Sequence, residues 1–543
     1  MGDYTPTVTI NPSPISKPLR FLVIGAGSRG NAYARAVRSV TNGVIHAVAE
    51  PHAFKRREFG EKNIWGKGGR PGEGQEFDDW KDWLEWETER RKLTAETNTT
   101  ATNASTVGVD GVFICTLDET HVEILQAITP LKLHILCEKP LAISLTECLA
   151  AYRSLSTHCE ASKIFSVGHV LRYSPHNMLL RQLLLLDRVV GDIVSLEHCE
   201  PVGWWHFSHS YVRGNWRRET VNGDGSLLTK SCHDIDFILW MLCSPSPGGS
   251  SSSSSSSTPS YHFPRSISSF GSLTQFRRAR KPIKAGNATN CLSCPAEPEC
   301  IYSAVKIYDG KHLAKQKLSH SALSIVCPDI EDVYTTQGEQ AARQALLTSL
   351  SEDYDRSTTE DALIASRPWY GRCVYEADNS VCDDQVVILK WDDQNTTAST
   401  STSTTSRTSK TALFHMIAPT EKQCERRGRV YGTKGEVSYD SETITIHTFE
   451  SGTTTSVPVP KPATEEEAQG HGGGDYGLVR SFVQAVDAVE NKGYAVADAQ
   501  RSFIGCTLEE AVRSHAVVFA AEEARRDEKV VKWDEWWEKK IRQ

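Results

Sequence analysis

Residues 227–242 read LLTKSCHDIDFILWML, with Lys230, His233, Asp234 and Asp236 standing at the mouth of an apolar run. An imidazole titrates near neutral pH, so His233 is a candidate general acid/base. The cluster also reads as a helix N-terminus in which Asp234 and Asp236 favour the dipole. Lys139 is a second candidate, in ILCEKPLA, where Glu138, Lys139 and Pro140 follow a short β-type run. An ammonium beside a substrate hydroxyl holds its oxygen, stabilises negative charge there and passes a proton. A surface lysine beside a glutamate is the plainer alternative.

VIGAGSRGNAYARAV carries Gly25, Gly27 and Gly30 in G-x-G-x-x-G spacing, after a strand and at the start of a helix. That context makes the triplet a phosphate-binding turn: Gly25 for the bend, Gly27 for close approach, Gly30 for helix–strand packing. The loop as a whole, with Ala26, Ser28 and Arg29, is expected to hold a dinucleotide. Twenty residues after Gly30, IHAVAE ends in Glu50. A carboxylate there accepts from both ribose hydroxyls and favours NAD over a 2′-phosphate. Arg56 and Arg57 nearby weaken that preference, so NADP stays possible.

GWWHFSHSYVRGNWRRE (203–219) is rich in Trp, His and Arg. Aromatic faces stack on sugar rings, and His206, His209 and Arg213 are expected substrate contacts, Arg213 suiting a carboxylate or phosphate. Lys230 and Asp234 join them. An irregular lid with interface aromatics is the alternative. GHGGGDYGL (470–478) holds His471 and Asp475, with Asp475 either a helix cap or part of the site. CLSCPAEPEC places Cys291, Cys294 and Cys300 in C-x2-C-x5-C. The first spacing suits zinc. No fourth ligand follows from spacing, with His262 and Cys232 among the possibilities, so structural metal, free thiols and a redox pair stay open. No metal is assigned.

These groups need a scaffold. LRFLVI, GVIHAVAE, DGVFICT, HILCE and KIFSVG alternate with helical patterns, which means a parallel sheet with crossovers. The carboxyl ends of such strands face a ligand crevice, so Lys139 is expected to point into it. After residue 170 longer β-type runs appear, IVSLEHCEPV, QVVILKW, TALFHMI, GRVYGTKGEVSYD and TITIHTF, expected to form a large antiparallel or mixed sheet. The expected division is a disordered tail (1–17), a dinucleotide-binding domain (18–170) and a substrate-binding and oligomerisation domain (171–543). Low-complexity tracts at 97–106, 244–260 and 395–409 read as disordered surface loops, and 65–76 as a flexible insertion. The last seventy residues read mainly as helices that return to the first domain.

A chain of 543 residues exceeds one core. A formal charge of −8 argues against nucleic-acid binding. No apolar run reaches the about 18 residues of a membrane span. The fifteen cysteines are odd in number and mostly single in apolar segments, as in a reducing, cytoplasmic compartment.

GAGSRG, CEKPLA, VGHVLRYSP and CHDIDFILWM, in that order, with GTKGEV at 432–437, resemble the glucose–fructose oxidoreductase/inositol dehydrogenase family, Gfo/Idh/MocA. The resemblance covers most of the chain outside the low-complexity tracts. It implies an N-terminal Rossmann domain, a C-terminal α/β domain on a large open sheet, and oxidation or reduction of a sugar or cyclitol hydroxyl with NAD(H) or NADP(H). It implies that Lys139 is the EKP lysine, that His233 is the general acid/base, and that Asp236 matches a family aspartate. It places Thr116, Leu117 and His121, with Glu138, along the cofactor, and it implies a homo-oligomer. Many members carry an aspartate four residues before the histidine; here that position is Thr229. The resemblance leaves two alternatives to a dehydrogenase: a lyase or glycosidase using tightly bound NAD for transient oxidation, and a non-catalytic dinucleotide-binding regulator.

Overall fold

The computed structural model describes residues 17–97, 107–158, 162–220, 225–243, 261–318, 322–396 and 405–542. Of the expected disordered segments, 1–16, 98–106 and 244–260 lie outside these.

Short strands make the first sheet. Among the described residues β1 (Leu19–Ile24), β2 (Gly43–Ala49), β3 (Glu76–Phe77), β4 (Gly111–Ile114), β5 (His134–Cys137) and β6 (Phe165–Val167) lie in the order β3-β2-β1-β4-β5-β6. Every pair is parallel. β4 and β5 are buried at each residue, as expected where crossover helices cover both faces. The order reverses beside β1, which opens a crevice at the strands' carboxyl ends. Register aligns Ile24 with Ala49 and Ile114, and Ile114 with Cys137. The residues that follow these strands, Gly25, Glu50, Cys115 and Glu138, therefore share one edge, with Thr116 next after Cys115.

The stretch at 65–76 is not a loose insertion. Its turns close through Gly69 N to Gly66 O (3.0 Å) and Gln75 N to Gly72 O (3.3 Å), and lead into edge strand β3. Gly74 packs so tightly that a Cβ would lie 2.4 Å from the Trp86 ring.

The second sheet is mixed. β7 (Ile193–Pro201), β8 (Ser266–Ser272) and β9 (Asp384–Trp391) belong to it. So do β12 (Lys410–Ile417), β13 (Arg427–Gly432), β14 (Gly435–Tyr439), β15 (Ile444–Thr448), β16 (Thr453–Val457) and β17 (Val531–Lys532). Their order is β16-β15-β14-β13-β7-β12-β9-β8-β17, with β12 and β7 parallel. β10 (Gln394–Thr396) and β11 (Thr405–Arg407) form a separate ribbon, so both ends of the 395–409 tract are paired strand rather than loop. Alternation decides the faces. Val387, Leu389, Trp391, Ala412, Phe414 and Met416 point inward beneath the helices Cys232–Leu242 and Leu508–Arg526, while Phe270, Ile388 and Leu413 are exposed on the other face.

Between β8 and β9 the chain makes an insert of short helices with its own small core, including Ala304, Ile307, Tyr308, Leu346 and Leu350. Trp204 and Trp205 pack against that core. The helix Gly474–Glu490 returns to lie on the helix Ser28–Val40. Phe482 reaches the first sheet, its ring 5.6 Å from Phe113 and 6.0 Å from Phe21. Its full burial contributes about 1.5–3 kcal/mol.

Candidate functional site

The three glycines of the turn do different work. Gly25 has φ +93°, and a Cβ there would meet the Cys115 carbonyl oxygen at 2.6 Å. A Cβ on Gly30 would lie 2.1 Å from the Gly25 oxygen. Around Gly27 nothing lies within 4 Å of the Cβ position. Two glycines are thus required by the protein's own packing, and the third leaves open space at the N-cap of Ser28–Val40. The unpaired first-turn N–H groups and the helix dipole favour an anion there. Glu50 accepts from Ala26 N (2.8 Å) and His52 N (2.9 Å), and each carboxylate oxygen keeps a lone pair for a ribose hydroxyl. Arg56 is spent on Glu76 (3.0 Å) and Asp78 (2.7 Å), so it does not await a 2′-phosphate. These residues fit NAD.

Arg29 and Glu138 are structural partners at the crevice floor. Arg29 Nε donates to Glu138 (2.7 Å), and its two terminal nitrogens donate to Asp475 (2.9 Å each). Tyr33 also donates to Glu138, and His471 Nδ1 lies 3.0 Å from Asp475. Burial opposes ionisation of Glu138, but Arg29 and Lys139 outweigh it and hold the carboxyl below its usual range. Asp475 is therefore more than a cap: it bolts the returning helix to the phosphate turn.

Lys139 crosses the crevice. Its peptide bond to Pro140 is cis, and Nζ donates to the Thr229 carbonyl at 2.7 Å. His121 fixes the backbone behind it, with Nδ1 2.7 Å from Pro140 O and Nε2 3.3 Å from Thr116 O. Thr116 accepts from Thr120 Oγ1 at 2.7 Å, and Leu117 is exposed. Between them sits Asp118, a buried carboxyl absent from the sequence reading, which accepts from Trp216 Nε1 at 2.9 Å. Burial pushes its pKa up to about 6, against the pull of His121 and Lys139.

On the second domain His233 is buried beside Arg426. Arg426 donates to His233 Nε2 (2.6 Å) and to Asp234 Oδ1 (2.6 Å), and it lies 3.3 Å from Glu200. A guanidinium cannot accept, so Nε2 is the acceptor and Nδ1 carries the proton. Nδ1 itself is buried without a partner. Burial holds the His233 pKa well below 6.5; Asp234 raises it and Arg426 lowers it further. Asp234 also lies 3.0 Å from His198 Nε2, whose Nδ1 meets Tyr439 OH at 2.8 Å. Lys230 pairs with Glu200 (3.0 Å) and donates to Cys424 Sγ (2.9 Å). Asp234 and Lys230, expected to touch substrate, are committed to this network. His206 is half-buried: burial lowers its pKa first, and Lys230, His209, His471 and Lys139 add to that.

Other expectations fail on geometry. His209 is buried against Tyr308 OH (2.8 Å) and stacked on Tyr370 (5.1 Å), both residues of the insert. Arg213 donates to the carbonyls of Arg372 (2.6 Å) and Tyr302 (2.7 Å) inside the insert. Asp236 is neither a cap nor at the crevice; it takes a bidentate grip from Arg172 (2.7 and 2.8 Å). Thr229 Oγ1 turns back to Gly225 O at 3.1 Å and does not orient His233.

The glycine turn at the edge of the six-stranded parallel sheet is that of an NAD-binding Rossmann fold. Residues 19–169 match the model for the oxidoreductase family with NAD-binding Rossmann fold, Gfo/Idh/MocA. Inositol 2-dehydrogenase 2 of Paenarthrobacter aurescens (strain TC1) is 31% identical over 144 residues, 25% of this chain and 38% of that protein. 2,7-Anhydro-N-acetylneuraminate hydratase of Escherichia coli (strain K12) is 27% identical over 134 residues, 25% of this chain and 34% of that protein. The chain thus matches little more than a third of the length of these curated relatives. Among solved structures, levoglucosan dehydrogenase with NADH and levoglucosan gives a TM-score of 0.54 at 13% identity, covering 95% of this chain and 99% of that one. At that identity the likeness is one of fold.

Proposed function

We propose that the chain is an NAD-dependent oxidoreductase that moves a hydride between nicotinamide and a ring hydroxyl of a sugar- or cyclitol-like substrate. The observation that carries this reading is the reach of Lys139 from the first sheet's edge to Thr229, which ends the short helix just before the one that carries His233. NAD, when bound, supplies the hydride acceptor. Gly25, Gly27, Gly30 and Glu50 hold it. Lys139 exchanges the Thr229 carbonyl for the substrate hydroxyl oxygen and stabilises charge there. His233 is neutral, as a base must be, and accepts the proton at Nε2 once the substrate hydroxyl takes the place of Arg426. His206 and Trp216 line the approach. The relatives named an inositol dehydrogenase and a levoglucosan dehydrogenase support a polyhydroxylated substrate.

A second reading keeps the cofactor bound through a cycle of oxidation, elimination and re-reduction. The lack of a carboxylate at Thr229 and the relative named a hydratase favour it. Purified protein is incubated with NAD and a panel of sugars, anhydrosugars and cyclitols, with nicotinamide absorbance and product both followed. Net reduction supports the first reading; product without net reduction supports the second. NAD binding with no turnover of any compound would leave a ligand-sensing regulator and sink both.

Two further parts of the proposal concern setting. Among the described residues no helix is long and apolar enough to cross a membrane, and the fourteen described cysteines of the fifteen form no disulfide with one another, which suits the cytoplasm. Ile388 and Leu413 stand opposite each other on the exposed face of the second sheet, with Phe270 nearby, and this face is the one proposed to pair in a homo-oligomer.

A further inference from the structure

Among the described residues no three His, Cys, Asp or Glu side chains are placed to hold a metal ion, so Cys291, Cys294 and Cys300 of the insert are free thiols. The insert carries a different feature. Where it meets the end of β8 a cavity of about 470 Å³ opens, within the range of about 300–1,000 Å³ usual for small-molecule sites. Arg218, Arg277, Arg278 and Arg356 line it, together with the carboxylates Asp361, Glu376 and Asp378. None of these residues belongs to the crevice of Lys139 and His233. We propose that this cavity is a second ligand site that binds a nucleoside diphosphate, the phosphates held by the arginines.

The balance of charge carries the proposal. Each carboxylate already has a cationic partner. Asp361 accepts twice from Arg218 (3.0 and 2.9 Å). Glu376 accepts from Arg278 (2.7 Å) and from Lys281 (2.9 Å). Asp378 accepts from Arg217 (2.7 Å), with Arg218 3.6 Å away. Among the described residues Arg277 makes no ion pair. Arg356 donates to main-chain carbonyls, those of Glu376 (3.4 Å) and Ala377. Six cations thus surround three carboxylates, an excess of three positive charges in a chain whose formal charge is −8. A cleft with such a local field concentrates anions.

The size of the excess and the lining select the ligand. A terminal phosphate carries about −1.5 to −2 at neutral pH and a bridging phosphate about −1 more, so a diphosphate matches the excess. The guanidinium fork meets phosphate oxygens in pairs, and the exposed Arg277 and Arg278 can turn to them. Opposite the arginines, Leu273, Ile364 and Tyr375 supply an apolar wall for a flat base. Asn379 stands beside it. Its Nδ2 donates to the Phe276 carbonyl at 3.1 Å, which leaves Oδ1 as an acceptor for an amino edge.

The test is calorimetry on the full chain saturated with NAD, so that the dinucleotide turn is occupied, with ADP as the probe. ADP is expected to bind at one further site per chain, more tightly than inorganic phosphate or adenosine, and more weakly as salt is raised. Arg277→Ser removes an exposed side chain without an ion pair, and the melting temperature is expected to stay unchanged. ADP affinity should fall roughly tenfold, as for one lost charged hydrogen bond, with NAD affinity unaltered. Arg356→Gln is the second variant and should weaken ADP in the same way. ADP that binds only in competition with NAD, or not at all, overturns the proposal. Inorganic phosphate that binds as tightly as ADP, or ADP affinity unchanged in both variants, overturns it equally.

Discussion

Arg426 donates a 2.6 Å hydrogen bond to Nε2 of His233, and with the same guanidinium grips Asp234. The lone pair a base would use is therefore held by a cation until something replaces it. This relationship makes the imidazole neutral across the physiological range and makes its availability conditional.

Removing the cation should raise the His233 pKa, since Arg426 lowers it and Asp234 raises it. His233 would then protonate at a higher pH, and the acid limb of the kcat/KM profile should move upward in Arg426→Gln. Breaking a buried pair costs about 3–5 kcal/mol, so folding must be checked by circular dichroism. Arg426→Lys keeps the charge but loses the planar fork, and should leave the limb nearer the wild-type position. An unmoved limb in a folded Gln variant would show that His233 does not carry the titrating step.

Lys139 makes a single hydrogen bond at its ammonium, to Thr229 O. Lys139→Ala should cut kcat by a hundredfold or more, on the order of 10²–10⁴ for lost acid–base and charge stabilisation. NAD affinity, read by nicotinamide fluorescence, should change less than threefold, because the phosphate turn lies on another strand. Equal losses in rate and cofactor affinity would place Lys139 in cofactor binding.

The first sheet was readable because its strands are short, doubly buried and separated by helical periods. Strand ends alone then placed Gly25, Glu50 and Lys139 on one edge. β3 escaped notice, since two residues after a glycine-rich stretch carry no period. β8 escaped too, as SISSFGS is half serine. The insert between β8 and β9 has no sequence rhythm, so His209 and Arg213 read as ligands when their partners, Tyr308, Tyr302 and Arg372, lie 99, 89 and 159 residues away. Arg426 and Glu200 were illegible for a related reason. Each sits at a strand end on the second sheet, and only the pairing of β7 with β13 brings them to His233. Asp118 was the avoidable omission, lying between Thr116 and His121 on a loop already under suspicion.

Glu50 should decide cofactor choice. Glu50→Gln keeps an acceptor for Ala26 N but removes the charge that repels a 2′-phosphate. NAD affinity should fall severalfold, and the ratio of NADP to NAD affinity should rise. Arg56 is committed to Glu76 and Asp78, so strong NADP binding is not expected from this change alone. A variant that binds both cofactors as the wild type does would remove Glu50 from the ribose.

The exposed face of the second sheet predicts an assembly. Leu413→Glu places a charge opposite Ile388 without disturbing the inward residues Ala412 and Phe414. If that face pairs two chains, the mass by light scattering should drop toward the monomer at unchanged melting temperature. An unaltered mass would put the interface elsewhere.

Asp118 gives a pH-dependent stability with a definite sign. Its folded pKa is raised to about 6 by burial, against 3.8 for the model carboxyl. Between about pH 4 and 6 the native carboxyl holds a proton that the unfolded chain has released, so stability falls as pH rises through that window. Above it the full cost is present, about 3 kcal/mol at 1.36 kcal/mol per pKa unit. Asp118→Asn keeps an acceptor for Trp216 and never ionises. Its stability relative to wild type should therefore grow between pH 4 and 6 and level off above, as read by denaturant midpoints across that range. A difference that stays flat with pH would mean that the carboxyl is better solvated, or more tightly paired with Lys139, than its burial implies. In either case Asp118 would ionise near the ordinary carboxylate value of 3.8 rather than near 6.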